Sequence, residues 1–392
     1  MPNTKDTILI IVARYLCYAS NEWFALSLAK ALKDYGQSVE VCNIISKEDA
    51  DLQLAKYVDK TYLAIIDFNS TLPRARVGKR FFLDCIDAPF FDYIVDHPLY
   101  HHPILSIPLQ NFHVICIDQM HQEYIKKYYP QIKSTLFLPL AGSRALSQIP
   151  FSKKRAGILF TGTYYPPSRF RDAIASFSVH EQNLVLQMAD LLIDSSLTLA
   201  PEEALAHISQ IKDPLLFREQ LNRYYNADIY ARAVIRERCI TQLAQTGLPM
   251  MLCGNEWEAS PLAKLQNITI RPGVDYRQCI EMIASSQILL NILPGFLKGS
   301  HDRVFNAMAN TTLLLSDTND YLLKELHPGQ DSLLFKHKKT ADLAAILQDL
   351  LCNTDQMESI AQCGQQCYQK SHTWHHRASI LLKHLSIWSY KS

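Results

Sequence analysis

The sequence predicts an α/β protein made of two doubly wound parallel-sheet domains, and three observations support this fold class. The run DTILIIVARY (6–15) has the length and apolar character of a buried strand, apolar residues at helical spacing follow over 21–37, and a second strand-like run covers 38–44. A strand, a helix and a strand in this order form a βαβ unit, whose parallel sheet is covered by helices. The same alternation starts again at residue 157, and a chain of 392 residues is too long for one ordinary core. We therefore expect two Rossmann-like domains that face a cleft.

Changes in pattern along the chain place the domain boundaries. Residues 1–148 are predicted to form the first domain, and the polar, aperiodic segment SRALSQIPFSKKRAG (143–157) fits a linker. The second domain is predicted over 149–372, with a helical insertion at about 175–247 where apolar residues recur with the period of a helix. Residues 373–392 are expected to form a closing helix.

Composition and charge exclude several classes of function. The formal net charge is +1 and no basic arm or stripe stands out, so we expect no nucleic-acid partner. The first apolar run is too short for a signal peptide or a transmembrane segment, which predicts a cytoplasmic protein and leaves peripheral membrane contact open. The cysteines are scattered and expected to be reduced, and the pair Cys363 and Cys367 lacks the spacing of a zinc or redox motif.

The stretch GSHDRVFNAMANTTLLLSD (299–317) has polar groups at the front of a helical pattern and a strand-like run behind it. A helix N-terminus presents unpaired N–H groups and the positive end of the helix dipole, and both favour an anion such as a diphosphate. The residues expected around this anion are Lys298, Gly299, Ser300, His301 and Arg303. The alternative is a well-capped helix, in which Ser300 or Asp302 caps the N-terminus and Arg303 is solvated.

The loop DHPLYHH (96–102) is the second polar cluster. His97 is the first candidate for proton transfer near neutral pH, and Asp96 could orient its ring. A second interpretation is that these two residues bind zinc together with His101 and His102. The third is that the loop has a purely structural role. The acidic pair in DCID (84–87) has DxxD spacing rather than the DxD of a metal site. We therefore expect no metal.

Several motifs taken together carry a family resemblance. The motifs that carry this resemblance are GSHDRVFNAMANTTLLLSD, followed by LHPGQDSLLF and HTWHHRA. The second half of the chain resembles the C-terminal half of bacterial glycosyltransferases related to the CgeB group. These are enzymes of the two-Rossmann (GT-B) class among the glycosyl transferases of group 1. The strands and turns of the family's donor domain are resembled by FTGTYY, LCGNEW and LLNILPG. Its acceptor-side domain is resembled by VDHPLYHH and CIDQMHQEYIKKYYP. The matches in the donor domain cover roughly residues 157–380.

The resemblance implies a donor site in the second domain. A nucleotide-diphosphate sugar would be held there as co-substrate, with no other cofactor, and the closing helix would pack back on the acceptor-side domain. Gly162 and Thr163 would lie near the phosphates, together with the segment from Lys298 to Arg303. The residues implied for the base and ribose are Arg271, Asp275, Tyr276 and Asn306.

Three positions depart from the family pattern. Thr311 stands where the family has a glycine after the helix. Asn306 stands where relatives have a glutamate that grips the ribose, and Lys298 stands where the broader retaining class has another glutamate. The leading hypothesis is a hexosyltransferase-type enzyme, retaining and metal-independent, that acts on a glycan, protein or lipid-linked acceptor. An enzyme that epimerises or hydrolyses the sugar nucleotide is less favoured, because it would need carboxylates beside the sugar. The departures support a third reading, a catalytically degenerate nucleotide-sugar-binding or scaffold protein.

Overall fold

The computed structural model describes residues 4–13, 19–46, 50–337 and 340–389. The chain divides into two compact units, one formed by the segment up to Ala141 together with the segment from His372, the other by Gly142–Ser371. Each unit contains one six-stranded sheet in which all neighbouring strands are parallel. The predicted fold class of two parallel-sheet Rossmann-like domains is therefore confirmed.

The first unit is built on a sheet with the strand order β2-β1-β3-β6-β7-β8. Its strands are β1 (Thr7–Ala13), β2 (Ser38–Ile44), β3 (Ala64–Phe68), β6 (Phe90–Ile94), β7 (Phe112–Cys116) and β8 (Ser134–Phe137). A short antiparallel hairpin, β4 (Arg76–Val77) and β5 (Arg80–Phe81), lies outside this sheet. Strands β3, β6 and β7 are buried along their whole length, which explains why they are nearly continuous apolar runs.

Helices of the first unit come from both ends of the chain. They are α1 (Ser20–Asp34), α2 (Ala50–Ala55), α3 (His102–Leu105), α4 (Gln119–Tyr128) and the closing helix α15 (Trp374–Ser389). Helix α15 packs on α1, where the rings of Phe24 and Trp374 have their centroids 6.1 Å apart. His375 adds a 2.9 Å contact to the carboxylate of Asp34. The closing helix is thus part of the first unit.

The second unit has the strand order β11-β10-β9-β12-β13-β14. Its strands are β9 (Arg155–Thr161), β10 (Met250–Cys253), β11 (Ile268–Arg271), β12 (Ser286–Asn291), β13 (Leu313–Asp317) and β14 (Leu333–Phe335). This is the order of dinucleotide-binding sheets, and it reverses direction between β9 and β12. In open α/β sheets the crevice beyond the carboxyl ends of the strands at such a reversal is the place where ligands bind.

Five helices lie between β9 and β10, in the stretch where the sequence predicts a helical insertion. They are α5 (Pro167–Ile174), α6 (Val179–Asp194), α7 (Pro201–Ile208), α8 (Pro214–Arg223) and α9 (Asn226–Ala244). Small residues on the buried face of α9, such as Ala227 and Ala231, allow it to pack closely on α5 and α6. The remaining helices are α10 (Tyr276–Ala284), α11 (Asp302–Ala309), α12 (Asp320–Glu325), α13 (Thr340–Cys352) and α14 (Thr354–Ser371). None of the helices in the described part of the chain is long and apolar enough to cross a membrane.

Candidate functional site

The turn after β9 lies at the reversal point of the second sheet. Gly162 has φ of +150°, a conformation that favours glycine, and its carbonyl accepts a 2.7 Å hydrogen bond from the indole of Trp257. A Cβ added to Gly254, which follows β10, would lie 2.1 Å from that carbonyl oxygen and 2.9 Å from the backbone nitrogen of Thr163. Two glycines are therefore needed for these backbone segments to approach each other.

Helix α11 begins at Asp302, and its N-terminal residues form a hydrogen-bonded network. The cap residue is His301, whose side chain makes no capping hydrogen bond. The carboxylate of Asp302 accepts hydrogen bonds from the hydroxyl of Tyr276 at 2.6 Å and from the amide of Asn306 at 2.7 Å, and it pairs with His301. Burial raises the pKa of Asp302, but His301, Tyr276 and Arg303 outweigh this and lower it to about 2. Asp302 is thus an ionised group that orders the start of the helix.

Arg303 connects α11 to the turn after β9. Its Nη1 donates a 2.8 Å hydrogen bond to the carbonyl of Thr161, the last residue of β9. The same Nη1 would lie 3.4 Å from a Cβ built on Gly162. Arg303 is half-buried and its Nε atom is enclosed without a hydrogen-bond partner among the described residues. Two parts of the predicted phosphate site, Gly162 and Arg303, are therefore brought together.

The loop between β12 and α11 carries the other predicted phosphate residues. Asn319 donates hydrogen bonds of 2.9 Å to the carbonyls of Phe296 and Gly299. Asp317 accepts the backbone N–H of Leu293 at 2.8 Å. Lys298 is half-buried in this loop, whereas Ser300 is completely buried. The loop is thus held from β13 and from the start of α12.

Two arginines of α9 reach the same edge of the sheet, and sequence reasoning missed them. Arg232 donates 2.6 Å hydrogen bonds to the carbonyl of Pro294 and to the carboxylate of Asp228. Arg236 lies one turn further along, and burial together with the charges of Arg303 and Arg232 lowers its pKa to about 10. The available signal was their spacing of four residues in ARAVIRERC, which places both on one helix face.

The residues predicted to meet the base and ribose fall into two groups. Arg271, at the end of β11, and Asp275, which caps α10 by accepting the N–H of Gln278 at 2.8 Å, are exposed. Tyr276 and Asn306 are buried, and their polar groups form hydrogen bonds within the protein. The amide oxygen of Asn306 accepts the backbone N–H of Ser143 at 2.7 Å. A ribose contact by Asn306 would thus compete with bonds that it already makes.

In the first unit, His97 is buried and Asp96 is exposed. The Nδ1 of His97 accepts the N–H of Leu99 at 3.0 Å, so it caps the turn that follows. Its ring packs against His121 and Tyr124, with centroid distances of 4.7 and 5.2 Å. Asp96 accepts a 2.9 Å hydrogen bond from Asn69. Both predicted catalytic residues therefore make contacts that stabilise the first unit.

The two other histidines of this loop have separate surroundings. Burial lowers the pKa of His101, and His102 forms a 2.9 Å hydrogen bond with the hydroxyl of Tyr129. Across the described residues, no three His, Cys, Asp or Glu side chains are arranged to hold a metal ion. The interpretation of this loop as a zinc site therefore has no ligand cluster to support it.

Comparison with known proteins adds a family match in the second half of the chain. The family model described as glycosyl transferase-like matches residues 232–383. This range includes Arg232, Arg236, the β12 to α11 loop and Arg303. No sequence among the curated proteins matches the chain significantly.

Solved structures with a similar fold align over nearly the whole chain. Sucrose-phosphate synthase from Thermosynechococcus elongatus has a TM-score of 0.53 at 11% identity, covering 99% of this chain and 100% of that one. HepE of Anabaena, solved with UDP and glucose, has a TM-score of 0.51 at 12% identity, with coverages of 97% and 99%. An alpha-glucosyltransferase solved with UDP-glucose and DNA containing an abasic site has a TM-score of 0.58 at 12% identity, with coverages of 97% and 99%. At these identities the likeness shows the fold alone, which this chain shares with glycosyltransferases.

Proposed function

We propose that this protein is a glycosyltransferase that moves a sugar from a nucleotide-diphosphate donor to an acceptor. The observation that carries the proposal is the bond from Arg303 to Thr161, which places a guanidinium and the N-terminus of α11 beside the Gly162 turn at the reversal point of the sheet. Guanidinium groups, exposed backbone N–H groups and a helix dipole together suit a diphosphate. The match of residues 232–383, which include α11 and Arg303, to a glycosyl transferase-like family model supports this assignment.

The chemistry follows from the charges at this site. In the transfer, the bond between the anomeric carbon and the diphosphate oxygen breaks, and the oxygen of an acceptor hydroxyl bonds to that carbon. The departing diphosphate keeps the bonding electron pair and so gains negative charge, and the hydroxyl proton passes to it or to solvent. Fixed positive groups around the departing diphosphate stabilise that charge, so the proposed reaction is metal-independent. Within the proposal the enzyme is a retaining hexosyltransferase of the CgeB-like group with a glycan, protein or lipid-linked acceptor. Three points stay predictions: a catalytic role for His97 and Asp96, a cytoplasmic location and the absence of a nucleic-acid partner.

A second candidate function is a protein that binds nucleotide sugars, or a scaffold, without catalysis. It is favoured by Asn306 and Tyr276, whose polar groups are committed to Ser143 and Asp302 rather than to the edge of the site. The neutral amide of Asn306 also supplies no carboxylate for a two-point contact with the ribose diol.

The two candidates are separated by binding and turnover measured on the same protein. The full chain is screened by thermal shift against UDP-, GDP-, dTDP- and CMP-sugars, and nucleotide release from each hit is followed with and without a panel of acceptors. Stabilisation and acceptor-dependent release that persist in EDTA support the enzyme, and stabilisation without release under any acceptor supports the binding protein. A protein that no nucleotide sugar stabilises would remove both candidates.

A further inference from the structure

Beyond the loop and helix that the family resemblance indicates, the inserted helix α9 brings charged groups to the donor site. We propose that Arg236 of α9 binds the diphosphate directly, as a partner of Arg303, and that Arg232 is a positioning residue that fixes the loop after β12. The proposal rests on the proposed function, because it assigns a further ligand contact to the same site. Neither arginine lies in a segment that sequence reasoning linked to the donor.

The enclosed Nε atom of the half-buried Arg236 is the first argument. Its Nε atom is inaccessible to solvent and has no hydrogen-bond partner among the residues that the structure describes. A buried donor without an acceptor costs roughly 1–3 kcal/mol or more for a charged group, so native proteins keep few of them. The Nε of Arg303 is enclosed in the same way. Arg303 lies at the reversal point of the sheet through its bond to Thr161, and Arg236 is near enough for the two charges to interact, so both side chains can serve one anion.

The balance of charge is the second argument. Arg232 pairs with Asp228 at 2.6 Å, and Asp317 lies 3.3 Å from His337. Within the described residues, by contrast, no carboxylate lies within 4.0 Å of the guanidinium nitrogens of Arg236 or Arg303. Their mutual repulsion is one cause of the lowered pKa of Arg236. Asp317 offsets this repulsion only in part, and Asp302 interacts with Arg303 at longer range. Two cations without a carboxylate in direct contact match a dianion, which is the charge of the diphosphate in a nucleotide sugar.

The partners of Arg232 assign it a different task. Its guanidinium is bonded to Asp228 on its own helix and to the carbonyl of Pro294. A Cβ built on the next residue, Gly295, would lie 2.4 Å from the Nη2 of Arg232, so the loop backbone closes directly over this side chain. Arg232 therefore positions the loop that leads to Lys298, and its charge is already neutralised.

Binding to the full chain tests these roles. The dissociation constants of UDP and of inorganic pyrophosphate are measured by calorimetry for wild type, R236Q and R232Q. The matched control is R238Q, which removes an exposed arginine from the same helix. We expect R236Q to weaken the binding of both ligands by about ten- to a hundred-fold, as for a lost charged hydrogen bond, and R238Q to leave it unchanged.

Thermal stability separates a ligand contact from a structural role. Because methionine removes a buried, uncompensated charge while keeping volume, R236M should raise the melting temperature of the ligand-free protein by roughly 2–4 °C. R232M should lower it, since Asp228 loses its partner. If R236M lowers the melting temperature and R236Q binds UDP as wild type does, Arg236 is structural and the inference is overturned, while the proposed function stands. If wild type binds neither UDP nor any other nucleoside diphosphate, the proposed function fails as well.

Discussion

Asn306 and Ser143 are joined by a 2.7 Å hydrogen bond from the backbone N–H of Ser143 to the amide oxygen of Asn306. One turn later Asn310 repeats the arrangement, accepting the N–H of Ala145 at 2.8 Å and donating to the carbonyl of Ser143 at 2.8 Å. Asn306 of α11 and Asn310, which caps the C-terminus of this helix, therefore satisfy the backbone of the segment with which the second unit begins. The helix at the candidate donor site is at the same time the anchor of that segment.

The first prediction concerns Asn306. In N306A the N–H of Ser143 and the carboxylate of Asp302 each lose a buried partner, so the free energy of unfolding should fall by about 1–3 kcal/mol. Urea denaturation measures this, with Q362A on the exposed face of α14 as control. If Asn306 also contacts the ribose, N306A weakens the binding of UDP more than that of pyrophosphate. Equal loss for both ligands would assign Asn306 a structural role alone.

Gly254 provides a steric prediction. In G254A the new methyl group would meet the Gly162 carbonyl at 2.1 Å and must push the turn after β9 away. We expect the melting temperature and the affinity for nucleoside diphosphates both to drop. The control is G247A, whose methyl group meets nothing within 4 Å and whose cost is limited to backbone strain at a φ of +78°, roughly 1 kcal/mol. An equal effect of the two variants would contradict the close approach of the two backbone segments.

Arg303 is predicted to contribute directly to binding. R303A should weaken the binding of a nucleoside diphosphate by about 1.5–3 kcal/mol, the range for a charged hydrogen bond. Calorimetry checks this, and R238A serves as control for the loss of one positive charge from this unit. An affinity unchanged in R303A would mean that the guanidinium serves only to hold the carbonyl of Thr161.

His337 makes stability dependent on pH in the alkaline range. Burial lowers the pKa of its imidazole, but hydrogen bonds to Asp317 at 3.3 Å and Cys239 at 2.8 Å outweigh burial and raise it to about 10. Because the unfolded pKa is about 6.5, this stabilisation is complete below that pH and is lost as the pH rises towards 10. Wild type should lose stability from pH 7 to 10 more steeply than H337Q. Parallel profiles would refute the pairing, and the exposed H207Q is the control.

Asp67 also makes stability fall as the pH rises, but at lower pH than His337 does. It is buried on β3, and burial raises its pKa to about 7, so the folded protein holds a proton that the unfolded chain releases near pH 3.8. Stability should therefore fall between pH 4 and 7 and stay constant above. D67N removes this dependence. At pH 8 it should be more stable than wild type by a few kcal/mol, which is the free energy that corresponds to a pKa shift of this size. Denaturation profiles of D67N and of the exposed control D190N check this, and a D67N profile that keeps the wild-type slope would contradict it.

Much of the fold was predictable because the pattern is local. Strands buried along their whole length, such as 64–68 and 112–116, are apolar runs with a single polar residue each, and helix α11 follows a recognisable polar start. The same local reading anticipated that Arg303 would lie at the front of a helix. It could not show that Arg303 is bonded to Thr161, which is 142 residues earlier in the chain.

The sequence by itself determined the fold class, the βαβ unit at the start of the chain and the helix start that suits an anion. These properties depend on residues within a few positions of one another. Only the tertiary structure decided that Arg232 bonds the loop before α11, that the charge of Arg236 interacts with that of Arg303, and that Asn306 bonds the backbone of Ser143. Hydrogen bonds and charge pairs act over a few ångströms in space. Folding brings together residues that are far apart in the sequence, so these contacts cannot be read from a local pattern.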